Sequence, residues 1–264
     1  MNLQLQNKLC LITGSTKGIG LAMAQALHSE GAQIIITGQS DASVQQALAL
    51  FDKSLLSHGF VCDMRNAKSV EKLAHQVQAI GTPDVLIHNV GYFEVRPFFD
   101  CADDHWQSMF DLNVMSGVRL SRLMMPAILA RGTGRLLFVA SEQSVKPNPE
   151  MAHYAMSKTA QVSVARSLAE MTKGTAVTVN SILVAPTWTP GVEAFLQPLA
   201  EHAGVSLEQM QKDYFVGDGA SSLLQRFAQP PEIASFAAFL SSPLSSAING
   251  AALRVDGGIV RSLF

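Results

Sequence analysis

The chain has 264 residues, 48% apolar and 15% charged, with 19 basic residues against 21 acidic for a formal charge of −2. That composition can bury one large core and is neither disordered nor collagenous. No stretch concentrates Lys and Arg as a nucleic-acid groove requires, which excludes polyanion binding. Cys10, Cys62 and Cys101 are odd in number, far apart and free of any CxxC pattern, and the seven histidines form no HxxxH or HExxH pair. The sequence therefore predicts no disulfide framework, no metal site and a reducing, cytoplasmic setting. The first eight residues lack the apolar core of a signal peptide, and no later run reaches the ~18 apolar residues of a membrane span, so a soluble protein with no membrane partner is expected.

In chain order, short β-branched or apolar runs alternate with longer amphipathic stretches. Residues 8–13 predict a strand, 18–30 a helix, and 33–37 and 60–62 the next two strands. A helix over 70–80, a strand over 85–88, one long helix over 105–130, a strand over 135–140, a helix over 154–173 and strands over 177–184 and 252–255 follow. Such alternation implies right-handed crossovers and an α/β fold: a Rossmann-type, doubly wound parallel sheet with helices on both faces, as a single domain over 1–264. From 187 to about 231 the rhythm breaks, with no strand, several prolines and glycines, and the aromatics Trp188, Phe195, Tyr214, Phe215 and Phe227. This insertion at the sheet edge reads either as a pair of surface helices or as a lid.

Three constellations carry chemistry. Thr13 to Gly20 reads TGSTKGIG between the first strand and the first helix, where glycines let backbone approach a pyrophosphate and the helix N-terminus offers unpaired N–H groups. Asp63, Asn89 with Gly91, Ser141, and Pro186 with Thr187 follow the carboxyl ends of predicted strands, and in an open parallel sheet those ends face one crevice. Tyr154 and Lys158 stand four apart on a predicted helix, one face carrying phenol and ammonium. Moving a phenol from its usual pKa of about 10 toward 7 needs about 4 kcal/mol, and a neighbouring cation is a source.

With these residues in this order, the chain resembles the short-chain dehydrogenase/reductase family over nearly its whole length. The resemblance rests on TGSTKGIG at 13–20, HNVG at 88–91, Asn113 within DLNVMSG, Ser141 within FVASEQS, and YAMSK at 154–158. It implies an NAD(P)H-dependent oxidoreductase that interconverts a carbonyl and a secondary alcohol of a small molecule. Tyr154 would be the general acid in reduction and the base in oxidation. Lys158 would lower its pKa and hold the nicotinamide ribose, Ser141 would polarise the carbonyl, and Asn113 would hold a water linking Lys158 to solvent. Gly14, Gly18, Ile19 and Gly20 would line the pyrophosphate, Asp63 would contact adenine, Asn89 and Gly91 the adenosine ribose, and Pro186, Thr187 and Thr189 would belong to the carboxamide loop.

Three positions depart from the family pattern. His88 and Val90 replace an Asn and an Ala, a change expected to affect packing. Val184-Ala185-Pro186-Thr187 lacks the usual glycine, which bears on nicotinamide placement. The second strand ends Thr37-Gly38-Gln39-Ser40, with neither the acid of an NAD site nor the Arg common in NADP sites. No carboxylate at Gly38 repels a 2′-phosphate, and Ser15, Thr16, Lys17, Gln39 and Ser40 can offer one positive charge and several donors, so NADP(H) is favoured. NAD(H) stays possible if Lys17 is a solvated loop residue. Candidate pocket residues are Gln143, Tyr92, Phe93, Met151, Trp188 and Phe195.

Two other readings stay open. One is a 3-oxoacyl-[acyl-carrier-protein] reductase, for which Arg131 is suitably placed while Glu170 stands where a second base is wanted. The other is a catalytically silent nucleotide-binding regulator, against which all four of Asn113, Ser141, Tyr154 and Lys158 are kept. Apolar residues on more than one face of 105–130 and 154–173 predict a homodimer or homotetramer.

Overall fold

The computed structural model describes residues 1–52 and 55–263, so positions 53, 54 and 264 of the expected domain lie outside the described residues. Runs such as Leu9-Cys10-Leu11-Ile12 and Ile34-Ile35-Ile36 have no polar face, and a strand of that kind must be covered on both sides. They form the middle of a seven-stranded sheet of β1 (Leu9–Ile12), β2 (Gln33–Gly38), β3 (Ser57–Val61), β4 (Val85–His88), β5 (Thr133–Ser141), β6 (Ala176–Val184) and β7 (Ala252–Val255), ordered β3-β2-β1-β4-β5-β6-β7. Every neighbouring pair is parallel, with Cys10 opposite both Ile34 and Val85 at the centre. All seven strands expected from the sequence are present, and the fold is the single-domain, Rossmann-type doubly wound sheet. β3 starts earlier than its apolar run suggests, because Ser57, His58 and Gly59 pair with β2 through backbone alone.

Alternation divides the core in two. Ile34 and Ile36 join Met23, Leu27, Val44 and Ile233 on one face, under α1 (Gly18–Ser29), α2 (Asp41–Leu48) and α9 (Pro230–Ser241). Ile35 and Leu11 point the other way, to Val70, Leu73, Leu120, Met124 and Ala165 of α3 (Ala67–Ile80), α5 (Ser116–Arg131) and α6 (Ala152–Glu170). Each such aliphatic side chain contributes about 1.5–3 kcal/mol on burial. Among the described residues no helix is long and apolar enough to cross a membrane.

The helix expected over 105–130 is present, with helical backbone unbroken from Asp103 to Arg131 and one widened turn within it. It consists of α4 (Asp103–Phe110), a π-helical turn at Asp111–Met115, and α5. Hydrophobic spacing does not register one widened turn, and such turns concentrate at functional positions. Residues 187–231 form α7 (Pro190–Ala203) and α8 (Leu207–Val216), and a single bridge, Thr187 to Ala228, replaces any strand. The pair has its own small core of Leu196, Phe215 and Phe227, flanked by Trp188, Val192 and Tyr214.

The turn after β1 shows why its glycines are required. Gly14 and Gly18 take φ of +61° and +58°, where a Cβ is strained. Gly20 is needed for a different reason: a Cβ there would lie 2.3 Å from the Gly14 carbonyl oxygen and 2.4 Å from Asn89 Nδ2. Gly20→Ala is therefore expected to cost about 1–3 kcal/mol, read as a lower midpoint of urea unfolding; an unchanged midpoint would contradict this packing.

Candidate active site

Parallel strands bring the carboxyl ends of β1, β4, β5 and β6 to one edge. There the glycine turn is tied to β4 by Thr13 and Asn89. Thr13 Oγ1 accepts from the amides of Asn89 (3.0 Å) and Val90 (3.2 Å), and Asn89 Nδ2 donates to the carbonyls of Thr13 and Gly14, both at 3.0 Å. The Asn89 amide thus braces the turn. Ser15 is fully buried. Its hydroxyl donates to Ile12 O (2.7 Å) and accepts from Thr37 N (3.1 Å), and its amide donates to Thr37 O. Its side chain is therefore held inside the turn and is no donor for a 2′-phosphate.

Lys17, Gln39 and Ser40 are exposed and Thr16 half-buried along the same rim; Ser40 also caps α2 by accepting from Ser43 N. α1 begins without a side-chain cap or an acid in its first turn, leaving its positive end open around Gly18, Ile19 and Gly20. Asp63 is exposed just past β3, its carboxylate accepting from Arg65 N. Beyond β6, Ala185 N donates to Val255 O and extends the ladder without a left-handed φ, so the missing glycine causes no strain here. Pro186 O accepts from Ala228 N. Thr187 is buried, Thr189 caps α7, and the Thr189 side chain packs beside Gly18. His88 is buried against Phe138 and beside Ser121 Oγ, its pKa pushed down to about 3 by burial, so this departure alters packing.

The four catalytic candidates converge from three elements. Asn113 lies in the π turn: its Oδ1 accepts from Tyr92 N (2.9 Å), and its Nδ2 donates to Tyr92 O (3.0 Å) and Ser157 Oγ (2.9 Å). It thereby joins the loop after β4 to α6 one residue before Lys158. The Lys158 ammonium is buried, donates to Val139 O at 2.9 Å and sits 5.8 Å from the Tyr154 ring centroid. A Cβ on Gly91 would come within 3.1 Å of it, so glycine keeps that approach open. Ser141, at the end of β5, lies near enough to Tyr154 to act on its pKa.

The electrostatics differ from a simple cation beside a phenol. Burial raises the Tyr154 pKa, the Glu142 carboxylate raises it further, and the Ser141 hydroxyl opposes both. Burial pushes Lys158 down to about 8, against the pull of Glu142. The phenol is thus held as a proton donor beside an amine that titrates near neutrality.

Three residues come into the site that motif reading passes over. Glu142 is buried, its Oε2 accepting from Ser141 Oγ at 2.5 Å and its Oε1 from Gln143 Nε2 at 3.1 Å; burial raises its pKa, against those two hydrogen bonds. Gln143 is accordingly occupied in the wall, its Oε1 also accepting from Asn148 N. Tyr214 of α8 lies near enough for Glu142 and Tyr154 to raise its pKa, which burial chiefly raises. Glu94 gathers Arg96, His105 and His153 around one carboxylate, clamping the loop that carries Tyr92 and Phe93. Phe93 meets Tyr154 (6.5 Å between centroids) and Phe195 of α7 (5.6 Å), while Trp188 packs on Phe227 (5.4 Å). Tyr92 is exposed and Met151 half-buried.

A dinucleotide-type turn, an uncapped helix start and a Ser-Tyr-Lys cluster at one sheet edge define a nucleotide-dependent oxidoreductase. The family profile described as enoyl-(acyl carrier protein) reductase matches residues 14–260. The uncharacterized oxidoreductase YvrD of Bacillus subtilis is 46% identical over all of both chains. D-beta-hydroxybutyrate dehydrogenase of Cupriavidus necator is 30% identical over 97% of this chain and 99% of its own. The crystal structure of L-sorbose reductase from Gluconobacter frateurii, complexed with NADPH and L-sorbose, superposes over all of both chains with a TM-score of 0.94 at 28% identity. The chain belongs to the short-chain dehydrogenase/reductase family of oxidoreductases.

Proposed function

We propose that the protein reduces the carbonyl of a small molecule with NADPH, Tyr154 acting as general acid. The observation that carries this reading is the convergence of Ser141, Tyr154 and Lys158 in one cluster, the first and last buried and the phenol half-buried and held protonated. A bound nicotinamide dinucleotide supplies the hydride. The Ser141 hydroxyl orients the substrate oxygen, and the phenol delivers its proton to that oxygen. Lys158, near neutrality at about 8, restores the proton, and Asn113 fixes the Tyr92 backbone and the Ser157 hydroxyl around it.

The dinucleotide fits the residues present. The open start of α1 would hold the pyrophosphate, Asp63 and the backbone at Asn89 and Gly91 would border the adenosine half, and Pro186, Thr187 and Thr189 would border the nicotinamide half. The 2′-phosphate falls to Thr16, Lys17, Gln39 and Ser40, Ser15 being committed elsewhere. The sorbose reductase to which the chain is similar is described as complexed with NADPH, in keeping with that choice. α7 and α8 cover the substrate side through Phe195, which meets Phe93 of the loop after β4, and Tyr214.

Docking of an acyl-carrier protein is less well supported. The Arg131 guanidinium donates to the carbonyls of Thr82, Pro83 and Thr133, and Glu170 is paired with Arg166 and Lys173. For assembly, we propose that a second copy covers the outer face of α6, where Pro147, Ala152, Met156 and Ala160 line an apolar groove.

Tyr154→Phe is expected to lower carbonyl reduction by at least the ~10²-fold of a lost general acid, with NADPH binding retained; full turnover in the variant on a verified substrate would overturn the mechanism. Lys17→Ala is expected to weaken NADPH by about 1.5–3 kcal/mol and leave NADH nearly unchanged. Gln39→Asp should act in the same direction, and is a cleaner test than an acid at Gly38, whose Cβ would meet Thr16 Cγ2 at 2.6 Å. Tighter binding of NADH than NADPH by the unaltered protein would reverse the cofactor assignment. Light scattering at micromolar concentration should return the mass of two or four chains, and a monomer would refute the α6 contact.

A further inference from the structure

We infer that Glu142 is a positioning residue: through its hydrogen bond to Ser141, its protonated form frees the Ser141 and Tyr154 protons for the substrate carbonyl, and its ionised form withdraws them. This rests on the reductase reading above.

A serine hydroxyl has one proton and two acceptor lone pairs. Around Ser141 Oγ the structure places the Gln143 amide, which donates to it at 3.2 Å, and the Glu142 carboxyl oxygen Oε2 at 2.5 Å, with the Tyr154 phenol near enough for Ser141 to act on its pKa. When Glu142 is ionised, Ser141 must give its only proton to Oε2, and a separation of 2.5 Å suits a hydroxyl donating to a carboxylate. Its remaining lone pair then accepts from Tyr154. Neither hydroxyl has a proton left for a substrate oxygen.

When Glu142 is protonated, the pattern reverses. Gln143 Nε2 donates to Oε1 at 3.1 Å, so Oε1 is an acceptor and the acid proton belongs on Oε2, facing Ser141. The carboxylic O–H then donates to Ser141 Oγ, whose two lone pairs are filled by Glu142 and the Gln143 amide. The Ser141 proton is free, and Tyr154 no longer finds an acceptor on Ser141. Both O–H groups can converge on one carbonyl oxygen, the arrangement that reduction needs. One proton on Glu142 thereby sets two donors.

The surroundings favour the neutral acid. Glu142 is 5% exposed. The charged and titratable groups that face it are Tyr154 and Lys158 of α6 and Tyr214 of α8, with Asp218 beyond Tyr214. Of these only Lys158 is a cation, and its ammonium hydrogen-bonds Val139 O. Among the described residues no salt bridge reaches Glu142, and burial raises its pKa above the ordinary carboxylate range. Reduction should therefore be fastest below that raised value and decline as pH rises through it.

The test is the pH profile of kcat for NADPH-dependent reduction, from about pH 5 to about pH 10, read beside the infrared C=O stretching band of a protonated carboxylic acid in the cofactor-free protein. The unaltered protein should show a falling limb over the same pH range in which it loses the band, separate from the fall that Lys158 brings near pH 8, and it is this band-matched limb that the variants report. In Glu142→Gln the amide Oε1 still accepts from Gln143, so Nε2 must donate to Ser141. That variant should keep kcat at acid pH within about threefold, lose the limb and lack the band. Glu142→Leu should lose at least about tenfold in kcat with KM little changed. Ser141→Ala, slower overall, should also lose the limb while retaining the band, because Glu142 has nothing left to orient. A limb that persists in Glu142→Gln, or in Ser141→Ala should the former not fold, overturns the inference. So does a folded Glu142→Gln slowed more than tenfold at acid pH, or absence of the band where reduction is fastest. Tyr154→Phe run alongside separates the two readings: if it is fully active the general-acid assignment fails, and if it is inactive while Glu142→Gln keeps the limb, only the role of Glu142 fails.

Discussion

Parallel strand pairing is the constraint from which the site follows. Because β1, β4, β5 and β6 all run the same way, each must end at the same edge, and each connection must climb back over a face before the next begins. The edge therefore collects four chain turns within one crevice. What makes it a site is that these turns are braced to one another. The Asn89 amide holds the glycine turn to β4, and the Asn113 amide holds the loop after β4 to α6. Two side-chain amides thus fix the distance between the glycine turn and the Ser141–Tyr154–Lys158 cluster, the candidate chemical half.

The chemical half is unusual for the amount of ionisable material held away from water. Lys158 and Glu142 are both buried and make no direct ion pair with each other. Desolvation pushes each toward its neutral form. The outcome is a cluster in which charge can be shifted at modest cost, since neither partner is locked by a short Coulombic contact. The glycines at 14, 18 and 20 and the hydrogen bonds around Ser15 are the rigid counterpart. They hold backbone geometry and leave no side chain free to adjust.

Much of this was legible in the residues themselves. The seven strands, the glycine turn and the Tyr154–Lys158 pair follow from spacing, because each depends on a period of two, a helical period, or a backbone that only glycine tolerates. Four features escaped for physical reasons. Alternation along a strand sends Ser141 and the next residue to opposite faces, but β5 stops at Ser141 and a 3-10 turn at Glu142–Ser144 rolls Glu142 back to the same side. The π turn at Asp111–Met115 changes the hydrogen-bond ladder and hardly alters the apolar pattern. Ser15 reads as a polar loop residue open to a phosphate, and only the fold shows its hydroxyl closed between Ile12 and Thr37. Tyr214 is distant in sequence from the residues it joins, so no local window could place it there.

The bridge between Thr187 and Ala228 has a consequence for how such proteins diversify. Amides and carbonyls of Pro186, Trp188 and Ala228 pin both ends of the excursion side by side, and α7 and α8 pack on a miniature core of their own. The entropy of closing a loop grows only slowly with its length once the ends are joined. The segment is thus a cassette: its helices can be lengthened, shortened or exchanged without disturbing the ladder that Ala185 extends to Val255. One contiguous stretch of chain can therefore be replaced while the Ser141–Tyr154–Lys158 cluster stays as it is.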